Sequence, residues 1–231
     1  RRCPTARSIV PLDTTSGAGT NFYAGNNAAN PHGIAREFAW VRGIPAHEAD
    51  DWRHEASRRT GRELDAAETS SFWLRETLAS MRADPWMHLR LLWNKLRVVL
   101  WRYEVPDNHF IEWDARYVPL LVFPLPGFEC FGLLGVAGAL AFALGAWRRF
   151  GAAGELWVFT MLYGATIVLT VVSDRVRLAL VPMLVAFAGY FVVEVAASVR
   201  APRKLIALLP ALALAAVAVF TPAMPERLTE K

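Results

Sequence analysis

Asp174, Arg175 and Arg177 are the residues of this chain whose types and spacing most suggest chemistry. They stand in the stretch 173–182, between two runs, 156–173 and 178–193, that carry no charge. Each run with its flanks approaches the roughly 20 residues that a membrane-crossing helix needs. A charged hairpin between two such helices is costly unless it sits at a surface or serves a site. Guanidinium groups at a lipid boundary suit an amphiphilic anion, because each grips phosphate oxygens through paired hydrogen bonds. Arg175 and Arg177 are therefore the candidate phosphate ligands. In a helix they point about 200° apart, and in an extended segment they share one side. Both face one phosphate only if the chain is not yet helical at Arg175.

Lys95 is the third candidate cation. It lies in a helix expected over 85–103, opened by an acceptor at Asp84 and by Pro85 in the first turn. Trp86, Leu89, Leu92, Trp93, Leu96, Val99 and Leu100 form a broad apolar stripe, accompanied by Arg90, Lys95, Arg97 and Arg102. Tryptophan with Lys and Arg suits a membrane interface, with Lys95 assisting the arginines. The competing reading is an ordinary core helix of the polar part.

Amides and carboxylates complete the candidate set. Asn21, Tyr23, Asn26 and Asn27 either shape a substrate pocket or hold their own loop together. Glu104 and Asn108, in a turn after the 85–103 helix, serve to brace the polar part or to move a proton. His47, Asp51 and His54 fall on one face of a helix over 45–60 and could hold zinc. The plainer reading is a solvated face with salt bridges to Arg58, and no metal is expected.

The elements that must position these groups fall into two parts. The chain has 231 residues, a net charge of +4 and 54% hydrophobic residues. The charge is concentrated before residue 116, which predicts a mostly helical extracytoplasmic polar domain over 1–116. Residues 117–225 read as a membrane domain with about four helices, near 128–147, 155–173, 177–197 and 205–221. The fold class is mainly α. Short strands are expected at 8–12 and 21–24. Helix signals are local: Gly61 stops the 45–60 helix, and Asp65 with Glu68 forms a capping box before 66–82, where Phe72, Trp73, Leu74, Leu78 and Met81 are partly buried. Pro182 is expected inside the third membrane helix, bending its first turns.

Arg148 and Arg149, and Arg200, Arg203 and Lys204, fill two short loops, which puts both in the cytoplasm. The Asp174–Arg177 hairpin and residues 1–116 are then outside. Cys3 and Cys130 do not form a framework. The start at Arg1, without Met or an apolar leader, suggests the C-terminal piece of a longer chain. Soluble-enzyme motifs are absent, and the dispersed basic residues exclude a nucleic-acid partner.

Several stretches, in order, resemble one group of proteins. They are Asn-Phe-Tyr-Ala-Gly-Asn-Asn at 21–27, the run 68–73, Lys95 with Tyr103-Glu104-Val105-Pro106-Asp107-Asn108, and Asp174-Arg175-Val176-Arg177-Leu178 leading to Pro182. This pattern, over about 8–197, is similar to the C-terminal half of bacterial integral-membrane glycosyltransferases of family 39 type, kin of protein mannosyltransferases and of the aminoarabinose transferase of lipid A. Val176 stands where that group often has an aromatic residue. The resemblance implies a GT-C-like fold in the bacterial cytoplasmic membrane. It also implies transfer of a sugar from a polyprenyl-phosphate carrier to an outer acceptor, with no cofactor. The family's catalytic carboxylate lies in an earlier outer loop that no position here matches, so the catalytic residue is expected upstream, in a preceding membrane half. The alternative reading is a non-catalytic, membrane-anchored scaffold for a cell-envelope component.

Overall fold

The computed structural model describes residues 17–34, 38–103, 117, 128–145 and 151–223. The described residues are mainly helical. The helices are α1 (Ala18–Gly25), α2 (Pro45–Thr60), α3 (Ala66–Ala83), α4 (Pro85–Leu100), α5 (Phe128–Gly145), α6 (Ala152–Leu169), α7 (Asp174–Leu178), α8 (Val181–Ser198) and α9 (Pro202–Phe220). The chain divides into two compact units: 1–23 with 37–79, and 24–36 with 80–231.

In the first unit, local chemistry sets the helix ends. Gly61 adopts φ +72° and closes α2 with its N–H on the Ser57 carbonyl, a left-handed cap that suits glycine. Asp65 accepts from the Glu68 N–H at 2.7 Å, and Glu68 accepts from the Asp65 N–H at 3.1 Å. The expected capping box opens α3 one residue shorter than its observed length, which runs on to Ala83. The core is aromatic. Tyr23 meets Trp73 at 4.5 Å between centroids, Trp52 meets Trp73 edge-on at 5.0 Å, and Phe38 meets Trp52 at 5.3 Å. Such pairs add about 0.5–1.5 kcal/mol each beyond burial. Trp73 is fully buried while Leu74 and Leu78 stay exposed.

The expected strand at 21–24 is corrected: those residues lie in α1. The Asn21 N–H bonds the Gly17 carbonyl at 2.9 Å, and the Tyr23 ring fills the aromatic core. Packing decided what four residues of pattern could not. The expected strand at 8–12 lies outside the described residues.

In the second unit, α5, α8 and α9 are long and apolar enough to cross a membrane, and α6 is a shorter apolar helix. Against the expected number of about four, the described residues hold three full-length candidates and one shorter helix. Helix α5 is the central one. Its Gly135 and Gly138 face the backbone of Leu184 and Phe187 so closely that an added Cβ would collide with carbonyl oxygens. Small residues let membrane helices approach until dispersion holds them. In α6, the hydroxyls of Thr160 and Thr166 bond the carbonyls four residues back, which suits an apolar surrounding.

The third membrane helix differs from expectation. Asp174–Leu178 is a separate short helix, and α8 begins at Val181 with Pro182 in its first turn. Proline lacks the N–H that a first turn leaves unpaired, so it opens α8 instead of bending it.

Candidate functional site

The site is built where α6 ends. Thr170 caps α6, and the chain runs extended through 171–173 before α7. The carbonyls of Leu169 and Thr170 carry the negative end of the helix dipole. Asn26 donates its Nδ2 to the Leu169 oxygen at 2.9 Å and to the Thr170 oxygen at 3.3 Å. The Lys95 Nζ donates to the same Thr170 oxygen at 2.6 Å and to Asn26 Oδ1 at 2.8 Å. Lys95 is completely buried. Burial pulls its pKa from 10.5 down to about 7. The partial negative charge at the end of α6 works in the opposite direction and favours the ammonium.

The loop after α1 is tied to the same place. His88 on α4 contacts the Asn26 carbonyl through Nε2 at 3.1 Å. Asn30 donates to the Ala24 and Ile34 carbonyls, and Asn27 Oδ1 accepts from the Ala29 N–H. Gly33 takes φ +61° and passes over the Lys95 stem, where a Cβ would overlap the side chain. Val172 then donates its N–H to the Gly33 carbonyl at 2.9 Å, and Ile34 bridges Val172. Asn26 and Asn27 therefore hold their loop and fasten it to the end of α6. Asn21 is exposed, and Tyr23 belongs to the aromatic core of the first unit. Glu104 and Asn108 lie outside the described residues, as do Arg148 and Arg149.

Arg175 and Arg177 are both helical, so they take different sides of α7. Arg175 is exposed. Arg177 is 3% exposed. Its Nη1 donates to the Trp101 carbonyl at 2.7 Å, its Nη2 pairs with Asp174 Oδ1 at 2.9 Å, and its guanidinium lies 4.1 Å from the Phe128 ring centroid. It joins the end of α4, the start of α5 and the start of α7. The pair does not converge on one phosphate, and Arg175 is the one of the two that faces outward.

Beside these anchors runs an apolar groove of about 520 Å³ between α4, α5, α6 and α8. Leu96 and Leu100 line it from α4, Ala139 from α5, Gly164 from α6. Phe128 and Leu180 line the end at which α7 stands. Along α6 the lining spans Trp157 to Leu169, thirteen residues, or about 18 Å for twelve rises of 1.5 Å.

The possible metal face resolves differently. Asp51 is held by Arg42, through Nη2 to Oδ1 at 2.6 Å and the Arg42 N–H to Oδ2 at 3.0 Å. Arg58, the expected partner of Asp51, pairs with Glu55 instead. The geometric reason is that Glu55 sits three residues from Arg58 and four from Arg59, so both guanidiniums reach it.

Sequence reading had passed over His88, Asn30, Phe128 and the Thr170 and Trp101 carbonyls. A His and a Lys seven residues apart in an otherwise apolar stripe were the available sign of a polar anchor. The backbone acceptors had none. No family model, curated protein or solved structure matches this chain.

Proposed function

We propose that the chain is the carrier-holding part of a membrane glycosyltransferase, which takes a sugar from a polyprenyl phosphate and passes it to an acceptor outside the cytoplasmic membrane. The observation that carries the reading is the apolar groove ending at α7. A length of about 18 Å suits the first several isoprene units of a carrier tail. The carrier phosphate would meet the exposed Arg175 at the end of the groove. Arg177, buried against Phe128, holds the helix that presents it. Lys95 and Asn26 fix the segment 170–173 that leads into that helix. The resemblance at 21–27 and 174–182 supports the sugar-transfer class. The chemical step itself belongs to a carboxylate that no residue here matches.

The test is binding of a long-chain polyprenyl phosphate to the chain in nanodiscs. A hydrogen bond to a charged group is worth about 1.5–3 kcal/mol, so Arg175→Ala should weaken binding roughly tenfold or more. Arg175→Lys keeps the charge, loses the fork and falls between. Unchanged affinity for Arg175→Ala, with normal insertion, would favour the scaffold reading. That alternative draws on the fact that Asn26, Lys95 and Arg177 already spend their polar groups inside the fold.

A further inference from the structure

Interfacial composition alone leaves the roll of α4 about its axis open. The structure fixes it, and in an unusual sense. Successive residues turn by about 100°, so the sixteen residues sort into three arcs. One arc is buried and holds Leu91, Val98, His88 and Lys95. A second is exposed and apolar, with Trp86 at 78%, Leu89 at 54%, Trp93 at 60% and Leu96 at 39%. The third, next to the tryptophans, holds Arg90, Asn94 and Arg97. The helix contains no Asp or Glu. It thus turns its lysine and a histidine inward and its tryptophans outward, opposite to the pattern of a helix facing water.

We infer that α4 is an interfacial anchor for an anionic lipid surface, with Trp86, Leu89, Trp93 and Leu96 at the headgroup–acyl boundary and the exposed Arg90 on lipid phosphates, while Arg97 beside it donates Nη2 to the Pro222 carbonyl at 2.6 Å. Three observations support this occupant. The exposed arc continues into Leu92, Leu96 and Leu100, which line the same groove as the apolar helices α5 and α6. The flanking arc carries only positive formal charge, complementary to anionic headgroups. Lys95 and His88 are fastened to Asn26 on the opposite side, so the helix cannot roll to hide the tryptophans without breaking those bonds. The lysine that composition assigns to the lipid phosphates is thereby replaced by Arg90. This role is independent of the sugar-transfer reading.

The experiment uses the full chain, with Cys3 and Cys130 replaced by Ser, in vesicles of phosphatidylcholine with a minority of phosphatidylglycerol. Spin labels at Leu89→Cys and Trp93→Cys should collide with oxygen and be shielded from a water-soluble nickel chelate, at a depth of about 5–10 Å. A label at Glu76→Cys serves as the aqueous reference. Spin-labelled phosphatidylglycerol should be retained over spin-labelled phosphatidylcholine, and Arg90→Gln should lower that preference about fivefold. Water-accessible labels at 89 and 93 would overturn the anchor. So would broadening between labels on two chains, which would make this face a dimer contact. An unchanged lipid preference in Arg90→Gln would overturn the anionic partner.

Discussion

Replacing Lys95 with Met tests the anchor at the end of α6, and its effect should depend on pH. The substitution keeps the apolar stem and removes the amine. Asn26 Oδ1 loses the Lys95 donor, and the Thr170 oxygen keeps the Asn26 Nδ2. Losing a hydrogen bond from a charged donor costs about 1.5–3 kcal/mol. Against this stands the cost of burying an ammonium. The folded pKa is about 7 and the reference value is 10.5. Between these values the unfolded chain binds more protons than the native one, so native stability rises with pH across this window. The penalty is fully present below pH 7 and relieved toward pH 10.5. The slope is at most about 1.4 kcal/mol per pH unit. From about pH 7.5 to pH 9 the wild type should gain about 2 kcal/mol relative to Lys95→Met, or about 4–8 °C in thermal midpoint for a unit of this size. The assay is thermal unfolding in nanodiscs at a fixed scan rate, for both proteins at each pH. Parallel pH profiles would refute the reasoning, because they would mean that Lys95 keeps its proton throughout.

Three further outcomes follow from particular contacts. Hydrogen bonds from Arg58, outweighing burial, hold the Glu55 carboxyl down at about 2. Its stabilising contribution is present above pH 4.5 and lost as pH falls toward 2, so tryptophan fluorescence should show the stability gap between wild type and Glu55→Gln closing over that range. Gly138→Val drives a side chain into the Phe187 carbonyl, whereas Gly145→Val meets nothing within 4 Å; the first should lower the thermal midpoint in detergent by several degrees, and equal effects would contradict the close helix approach. Cysteine at Asp174 should label from outside the membrane and cysteine at Arg200 should not; the reverse pattern would invert the topology.

Legibility followed the range of the interactions. The ends of α2 and the box at Asp65 and Glu68 were readable because each is decided within a few residues of chain. Helix α4 was readable at its start, where Asp84 accepts from the Met87 N–H and Pro85 takes the first turn. Its roll was not, because Lys95 is buried by Asn26 and Thr170, residues 69 and 75 positions away. Arg177 shows the same limit: the Trp101 carbonyl that claims it lies 76 positions earlier. Asn26 and Asn27 were legible as important, but two readings fitted them until their acceptors on α6 and in the loop were known. At 21–24 the pattern was too short to oppose the pull of the aromatic core on Tyr23.

The central claim is that a polyprenyl phosphate lies in the groove between α4, α5, α6 and α8 with its phosphate at α7. The most direct measurement is photocrosslinking of the chain in nanodiscs with a polyprenyl phosphate bearing a diazirine near its head, followed by peptide mapping. The account predicts adducts on groove residues of α4 and α6 such as Leu96, Leu100, Gly164 and Val168. It also predicts their loss when Ala139→Phe fills the groove. Adducts confined to exposed residues of α9, such as Ile206 and Leu214, or a pattern unchanged by Ala139→Phe, would contradict it.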